Sequence, residues 1–156
     1  MASQGQMRPH WAVLTVWGVV NAVNVLQAAG FLSRVTTGGM AVNHLLGYGV
    51  MALAAPALVA LVALVRARAG MGHWLGPAAF VTFVAFMVLV EEIAGIEFRS
   101  PPRAEILVPY LVLFFGSIVL MGAPMYRLNR RLWLVTALTA ALLVGTMGVA
   151  MRAGVG

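Results

Sequence analysis

The sequence lacks cysteine altogether and has only four acidic side chains, all of them glutamate. Without cysteine the chain can form no disulfide, no thiolate metal site and no cysteine nucleophile. Charged residues make up 9% of the chain, whereas a soluble domain has about 25%. Because so few charges cannot cover a surface in water, an ordinary soluble domain is excluded and lipid must be the solvent for most of the chain.

Lysine is also absent, so all ten basic residues are arginine. The formal net charge of +6 would suit a nucleic-acid-binding protein only if the arginines shared a soluble face. They stand instead at the ends of apolar runs, where membrane topology signals are found. We therefore predict no nucleic-acid partner and expect the lipid bilayer to be the main surroundings.

Five apolar runs are long enough to cross a membrane core, which requires about 20 helical residues. The connections between them are too short for a second domain. The sequence therefore predicts an all-α polytopic membrane protein, a five-helix transmembrane bundle that forms one integral-membrane domain over residues 1–156. The predicted helices cover residues 11–32, 41–65, 73–92, 106–123 and 132–150.

Three local patterns predict how these helices pack. Asn21, Asn24 and Gln27 cover an arc of about 120° on the first helix, and they should face other helices because amides facing lipid lack partners. Pro56 should kink the second helix. A repeat of small residues at Ala137, Ala141 and Gly145, four residues apart on one face, predicts a close-packing seam on the fifth helix.

The distribution of arginine predicts the orientation. Five crossings place six arginines on the side of the N-terminus and four on the opposite side. Because basic residues near membrane ends favour the cytoplasm, we expect a multi-pass protein of the cell membrane with its N-terminus cytoplasmic and its C-terminus outside. The same alternation brings four helix ends together at the outer face, and these ends carry most of the remaining polar side chains.

This outer group supplies the candidate site residues. The candidates for catalysis are Glu91, Glu92 and His44. The candidates for substrate binding are Asn24, Gln27, Arg34, Asn43, Tyr48, Arg99 and Arg103.

The adjacent carboxyl groups of Glu91 and Glu92 follow a long apolar run. A carboxyl group enclosed among apolar side chains stays protonated and can act as a general acid, while its neighbour stays ionised and stabilises positive charge. That chemistry suits a lipid-soluble, isoprenoid-like substrate. Because adjacent helical residues point 100° apart, one of the two should turn inward. We expect it to be Glu91, since it lies deeper and Gly95, one turn later, would let another helix approach. The other interpretation places both carboxylates in headgroup water.

The remaining candidates are less specific. His44 could pair with either glutamate as a base or a metal ligand, but the chain lacks the HExxH and ExxH spacings, so we predict no metal and no cofactor. The three arginines Arg34, Arg99 and Arg103 could hold a phosphate or carboxylate head group.

Three functions remain open at this point, and whether the protein is an enzyme is undecided. The first is a membrane-embedded enzyme or binder for a lipophilic small molecule. The second is a non-catalytic accessory subunit that contacts other membrane subunits or copies of itself. The third, a small oligomeric transporter or channel, is less favoured, because transporters carry polar residues to the midplane and only Asn21 and Ser117 are expected there.

Overall fold

The computed structural model describes residues 10–38, 41–96 and 103–154, and in these ranges the chain is helical with no strand. Five helices are long and apolar enough to cross a membrane, which confirms the predicted fold class. The first crossing is α1 (His10–Thr37), and the second is divided into α2 (Ala41–Ala52) and α3 (Ala54–Arg66). The third is α4 (Met71–Met87), continued by a π-helical segment (Val88–Ile93), and the last two are α5 (Ala104–Leu128) and α6 (Arg130–Arg152).

Two helices continue five residues past their predicted ends. The α1 helix runs beyond 32 to Thr37, and its hydroxyl side chains bond back to its own carbonyls. Ser33 Oγ donates to the Gly30 carbonyl at 2.8 Å, and Thr37 Oγ1 donates to the Ser33 carbonyl at 2.7 Å. Polar residues that predicted a loop are thus satisfied within a helix. The α5 helix likewise continues through Pro124 to Leu128.

The interruption expected at Pro56 lies at Leu53. Pro56 has no backbone N–H to donate to the Ala52 carbonyl one turn earlier. The backbone N–H of Leu53 is shared between the carbonyls of Gly49 and Val50, at 3.3 and 3.2 Å. The second crossing is therefore two helical pieces that follow one another.

The α4 and α5 helices approach each other closely at Gly76. A Cβ atom added at Gly76 would lie 2.6 Å from the Met121 backbone nitrogen and 2.8 Å from the Leu120 carbonyl oxygen. Pro124 provides no N–H for that carbonyl. Further along, the ring centroid of Phe83 lies 5.2 Å from those of both Tyr110 and Phe114. Glycine and aromatic packing thus hold these two helices together.

The α1 helix is at the centre of the bundle and contacts α2, α3, α5 and α6. Of its most apolar 18 residues, 39% are buried, compared with 17% for α6. The small-residue seam predicted on α6 is wrong for the single chain, because Ala141 and Gly145 are exposed and nothing lies within 4 Å of a Cβ at Gly145. The face of α6 that packs includes Thr136, whose methyl lies 3.0 Å from a Cβ built at Gly122.

The two ends of the bundle carry different charges. We call one the arginine end; its described charged residues are Arg66, Arg68, Arg127, Arg130 and Arg131. The opposite, glutamate end holds all the acidic residues that the structure describes, together with three arginines; they are Glu91, Glu92, Glu105, Arg34, Arg103 and Arg152.

Candidate functional site: the glutamate end

A directed chain of hydrogen bonds joins α1 to α6. Asn24 Nδ2 donates to Thr139 Oγ1 at 3.1 Å, and Thr139 Oγ1 donates to Asn21 Oδ1 at 2.8 Å. Asn21 Nδ2 in turn donates to Thr136 Oγ1 at 3.2 Å. We call these four residues the amide–threonine seam. Sequence reasoning assigned no role to the two threonines, although their spacing of three residues matches that of the two asparagines.

Asn24 is fully buried in this seam. Its Oδ1 atom has no hydrogen-bond partner in the part of the chain that the structure describes. Asn24 lies midway along the 28-residue α1, so its predicted placement at the outer face is wrong; the helix extends further beyond it than the apolar run indicated. Ser117 is also buried and central, and its hydroxyl donates to the Phe114 carbonyl at 2.7 Å. The middle of the bundle therefore contains more polar side chains than expected, and the hydrogen bonds of the seam join α1 to α6.

The interior-facing stripe of α1 changes character towards the glutamate end. Val16, Val20 and Val23 are 4%, 0% and 0% exposed. Gln27 and Arg34 fall on the same stripe, within about 60° around the helix, yet both are only half-buried. Along this stripe full burial thus ends at Val23, and half-buried polar side chains begin at Gln27.

Gln27 has no hydrogen-bond partner among residues 10–38, 41–96 and 103–154. The Arg34 guanidinium lies 5.4 Å from the centroid of the Phe31 ring, within cation–π range. This part of the interior therefore has an amide with open donor and acceptor capacity and a guanidinium one to two turns above it.

The α2 helix contributes one of its three candidates to this interior. Asn43 is half-buried against α1, where a Cβ atom at Gly30 would lie 2.7 Å from Asn43 Oδ1. His44 is exposed, and Tyr48, on the same face, is 55% exposed. The structure therefore brings Asn43 to α1 and leaves the other two on the outer surface of the bundle.

The two adjacent glutamates lie in the π-helical segment. Its wide turn is closed by the Ala94 N–H donating to the Leu89 carbonyl at 3.0 Å. Glu91 is half-buried and Glu92 is exposed. Gly95 does not admit a neighbouring helix as expected, because nothing lies within 4 Å of its Cβ position. Its φ of +60° shows that it ends the helix in the left-handed conformation that glycine adopts at least cost.

Of the two remaining arginine candidates, Arg103 is exposed just before α5 begins. Arg99 lies outside the described residues. The described ranges contain no group of three histidine or acidic side chains placed to hold a metal ion, so His44 does not combine with both glutamates as a ligand set.

Two of the cavities between described residues are lined by residues other than the glutamates. One of about 10 Å³ is lined by residues that include Val13, His73 and Met125, and it has room for about one water molecule. The other is an open groove of about 510 Å³ beside Trp11 and Arg66. Neither of these two cavities is lined by Glu91.

In comparisons with known proteins, no family model, no curated protein and no solved structure matches the chain.

Proposed function

We propose that this small integral membrane protein lies in the cell membrane with its N-terminus cytoplasmic, and that it binds a lipid-soluble molecule through its head group at the glutamate end. The observation that carries the proposal is the change along the α1 stripe from buried valines to half-buried Gln27 and Arg34. A bundle that needed only stability would continue its apolar core in this position.

The depth of Gln27 favours an amphiphile over a water-soluble ligand. The 28 residues of α1 extend about 42 Å at 1.5 Å per residue, against a hydrocarbon core of about 30 Å. Gln27 is ten residues from Thr37, so it lies about 9 Å inside the core boundary. An amide without partners at this depth is costly. A ligand with an apolar body and a hydrogen-bonding head would satisfy it.

The exposure of Glu92 and His44 supports binding more than catalysis. Both side chains lie on the surface of the single chain, so neither is enclosed in a pocket that would hold a substrate against it. Glu91 is half-buried, and it is the residue to which we assign any acid chemistry on the bound molecule. In this proposal Gln27, Arg34 and Asn43 contact the head group.

The test is to recover the bound molecule. The full chain is purified from membranes in mild detergent, extracted with organic solvent, and the extract analysed by mass spectrometry. We expect a near-stoichiometric lipophilic compound from the wild type, its loss from Gln27→Leu, and its retention in Thr146→Val. Thr146 is a suitable control because its hydroxyl donates to carbonyls of its own helix at 3.0 Å. Equal recovery from both variants, or no compound from the wild type, would refute the proposal.

A matched pair of glutamate variants separates the two carboxyl groups. Glu91→Gln should reduce the amount of bound compound, whereas Glu92→Gln should leave it unchanged, because only Glu91 is turned partly inward. The reverse order would exclude Glu91 from the site.

A second candidate function, a non-catalytic accessory subunit, is favoured by the outer surface of α2. Tyr48 is 55% exposed, and its hydroxyl has no hydrogen-bond partner within the described residues. Photo-crosslinking from position 48 tests this candidate, with position 138 as control because Leu138 is 70% exposed on α6. A discrete crosslinked protein from position 48 alone would support it, and the same pattern from both positions would exclude it.

A further inference from the structure

A groove at the arginine end runs along the outside of the bundle between the start of α1 and the end of α3. It has a volume of about 510 Å³ and is lined by Trp11, Leu58, Val59, Val62, Ala63 and Arg66. Its walls are apolar over most of their length, and its two hydrogen-bonding side chains are both at one end. This arrangement, with an apolar trough and a polar mouth, has the shape of an amphiphile site.

The length of the groove fits one membrane leaflet. From Leu58 to Arg66 is eight residues of α3, or about 12 Å. A hydrocarbon core of about 30 Å gives each leaflet about 15 Å. The trough therefore has the length of the part of an acyl chain that crosses most of one leaflet. Trp11 and Arg66 lie at the end of the trough that would be at the head groups, where tryptophan is enriched.

The charge of the mouth indicates which head group it would accept. Arg66 and Trp11 are exposed, and neither has a hydrogen-bond or ion-pair partner among the described residues. All acidic residues that the structure describes are at the opposite end of the bundle. The guanidinium and the indole N–H are donors only, so these two side chains favour an anionic, acceptor-rich head group.

We propose that this groove is a binding site for an anionic phospholipid, with one acyl chain along α3 and the phosphate on the Arg66 guanidinium and the Trp11 indole. The site is at the end of the bundle away from Gln27, so it does not depend on the function proposed above. A guanidinium pairs with phosphate through two parallel hydrogen bonds, which a surface charge without a groove cannot orient.

Native mass spectrometry of the delipidated full chain tests the site by counting retained lipids. The probes are dioleoyl phosphatidylglycerol and dioleoyl phosphatidylcholine, which share their acyl chains and differ in net charge. For the wild type we expect one retained phosphatidylglycerol in preference to phosphatidylcholine. Arg66→Gln should weaken phosphatidylglycerol binding about fivefold, the value of one arginine near an anionic lipid.

Two matched controls make the test specific. Arg68→Gln removes the same charge two residues later, outside the groove lining, and should have a smaller effect than Arg66→Gln. Val62→Trp fills the trough and should weaken binding of both lipids. Val119→Trp, at a position that is 64% exposed on α5, should weaken neither.

The proposal is overturned by any of three results. Equal effects of Arg66→Gln and Arg68→Gln would show a general attraction between charges. Unchanged binding in Val62→Trp would show that the trough is not used. A dimer mass without retained lipid would assign the groove to a second copy of the chain.

Discussion

Two amides on α1, three residues apart, have opposite surroundings. Asn24 is fully buried and bonded to Thr139, whereas Gln27 is half-buried and has no partner in the described residues. The two residue types have the same donors and acceptors. The neighbouring helix therefore decides what a polar group in a membrane does. An amide beside a hydroxyl group is part of the structure, and an amide without such a neighbour is available to a ligand.

The register between α1 and α6 explains why Asn24 has a partner and Gln27 has none. Trp17 bonds to Leu132, Asn21 to Thr136 and Asn24 to Thr139, and each pair is 115 residues apart. A constant separation means that α1 and α6 run in the same direction without slipping. At Gln27 the same separation reaches Leu142, an exposed side chain without polar atoms. The seam therefore ends where the register places Leu142, and not a hydroxyl side chain, beside Gln27.

The largest expected effect comes from adding a charge to each amide in turn. Asn24→Asp should lower the free energy of unfolding by about 3 kcal/mol, because the carboxylate would be at the membrane centre and away from water. Gln27→Glu should lower it by less than Asn24→Asp does, because Gln27 is half-buried and lies about 4.5 Å nearer to the head groups. Reversible unfolding in mixed detergent micelles measures both. Equal losses would contradict the contrast between the two positions.

A smaller effect is expected from deleting one contact of the seam. In a double-mutant cycle, Asn21→Leu and Thr139→Val should show a coupling energy of about 0.6 kcal/mol, and at most about 1.7 kcal/mol, the range for hydrogen bonds between membrane helices. The same unfolding assay applies. A parallel cycle of Asn21→Leu with Thr146→Val should show no coupling, because the hydroxyl of Thr146 bonds within its own helix and, among the described residues, has no partner on α1. Coupling in that control cycle would mean that α6 responds as a whole.

The sequence predicts some of these features better than others, for physical reasons. Composition and run length determine that five helices span the membrane, since lipid tolerates no other arrangement of such segments. The amide arc on α1 correctly predicted a face directed at other helices. Its partner could not be predicted, because Asn21 and Thr136 are 115 residues apart and no local pattern selects α6 among the available helices.

The site was harder to predict, because it depends on local departures from regular patterns. The apolar run ended at Leu32, and nothing in it indicated that the hydroxyls of Ser33 and Thr37 would bond to carbonyls of the same helix. The longer helix places Asn24 at its middle. Glu91 and Glu92 differ in burial within a π-helical segment. This segment depends on backbone bonds such as that from the Ala94 N–H to the Leu89 carbonyl, and the sequence has no signal for it. His44 is exposed on the side of the bundle because the face of α2 that carries it does not meet α1, and the sequence does not indicate which face of α2 packs.

The smallest expected effect tests the open end itself, at the contact between Gly30 and Asn43. A Cβ atom at position 30 would lie 2.7 Å from Asn43 Oδ1, which is the tip of a flexible side chain and can move. Gly30→Ala should therefore lower the free energy of unfolding by less than about 1 kcal/mol. Its main effect should be on the recovery of bound compound, because the displaced amide changes the site. Gly18→Ala is the matched control, since nothing lies within 4 Å of its Cβ position. Unchanged recovery in Gly30→Ala would mean that Asn43 does not contact the ligand and that the binding surface is confined to α1.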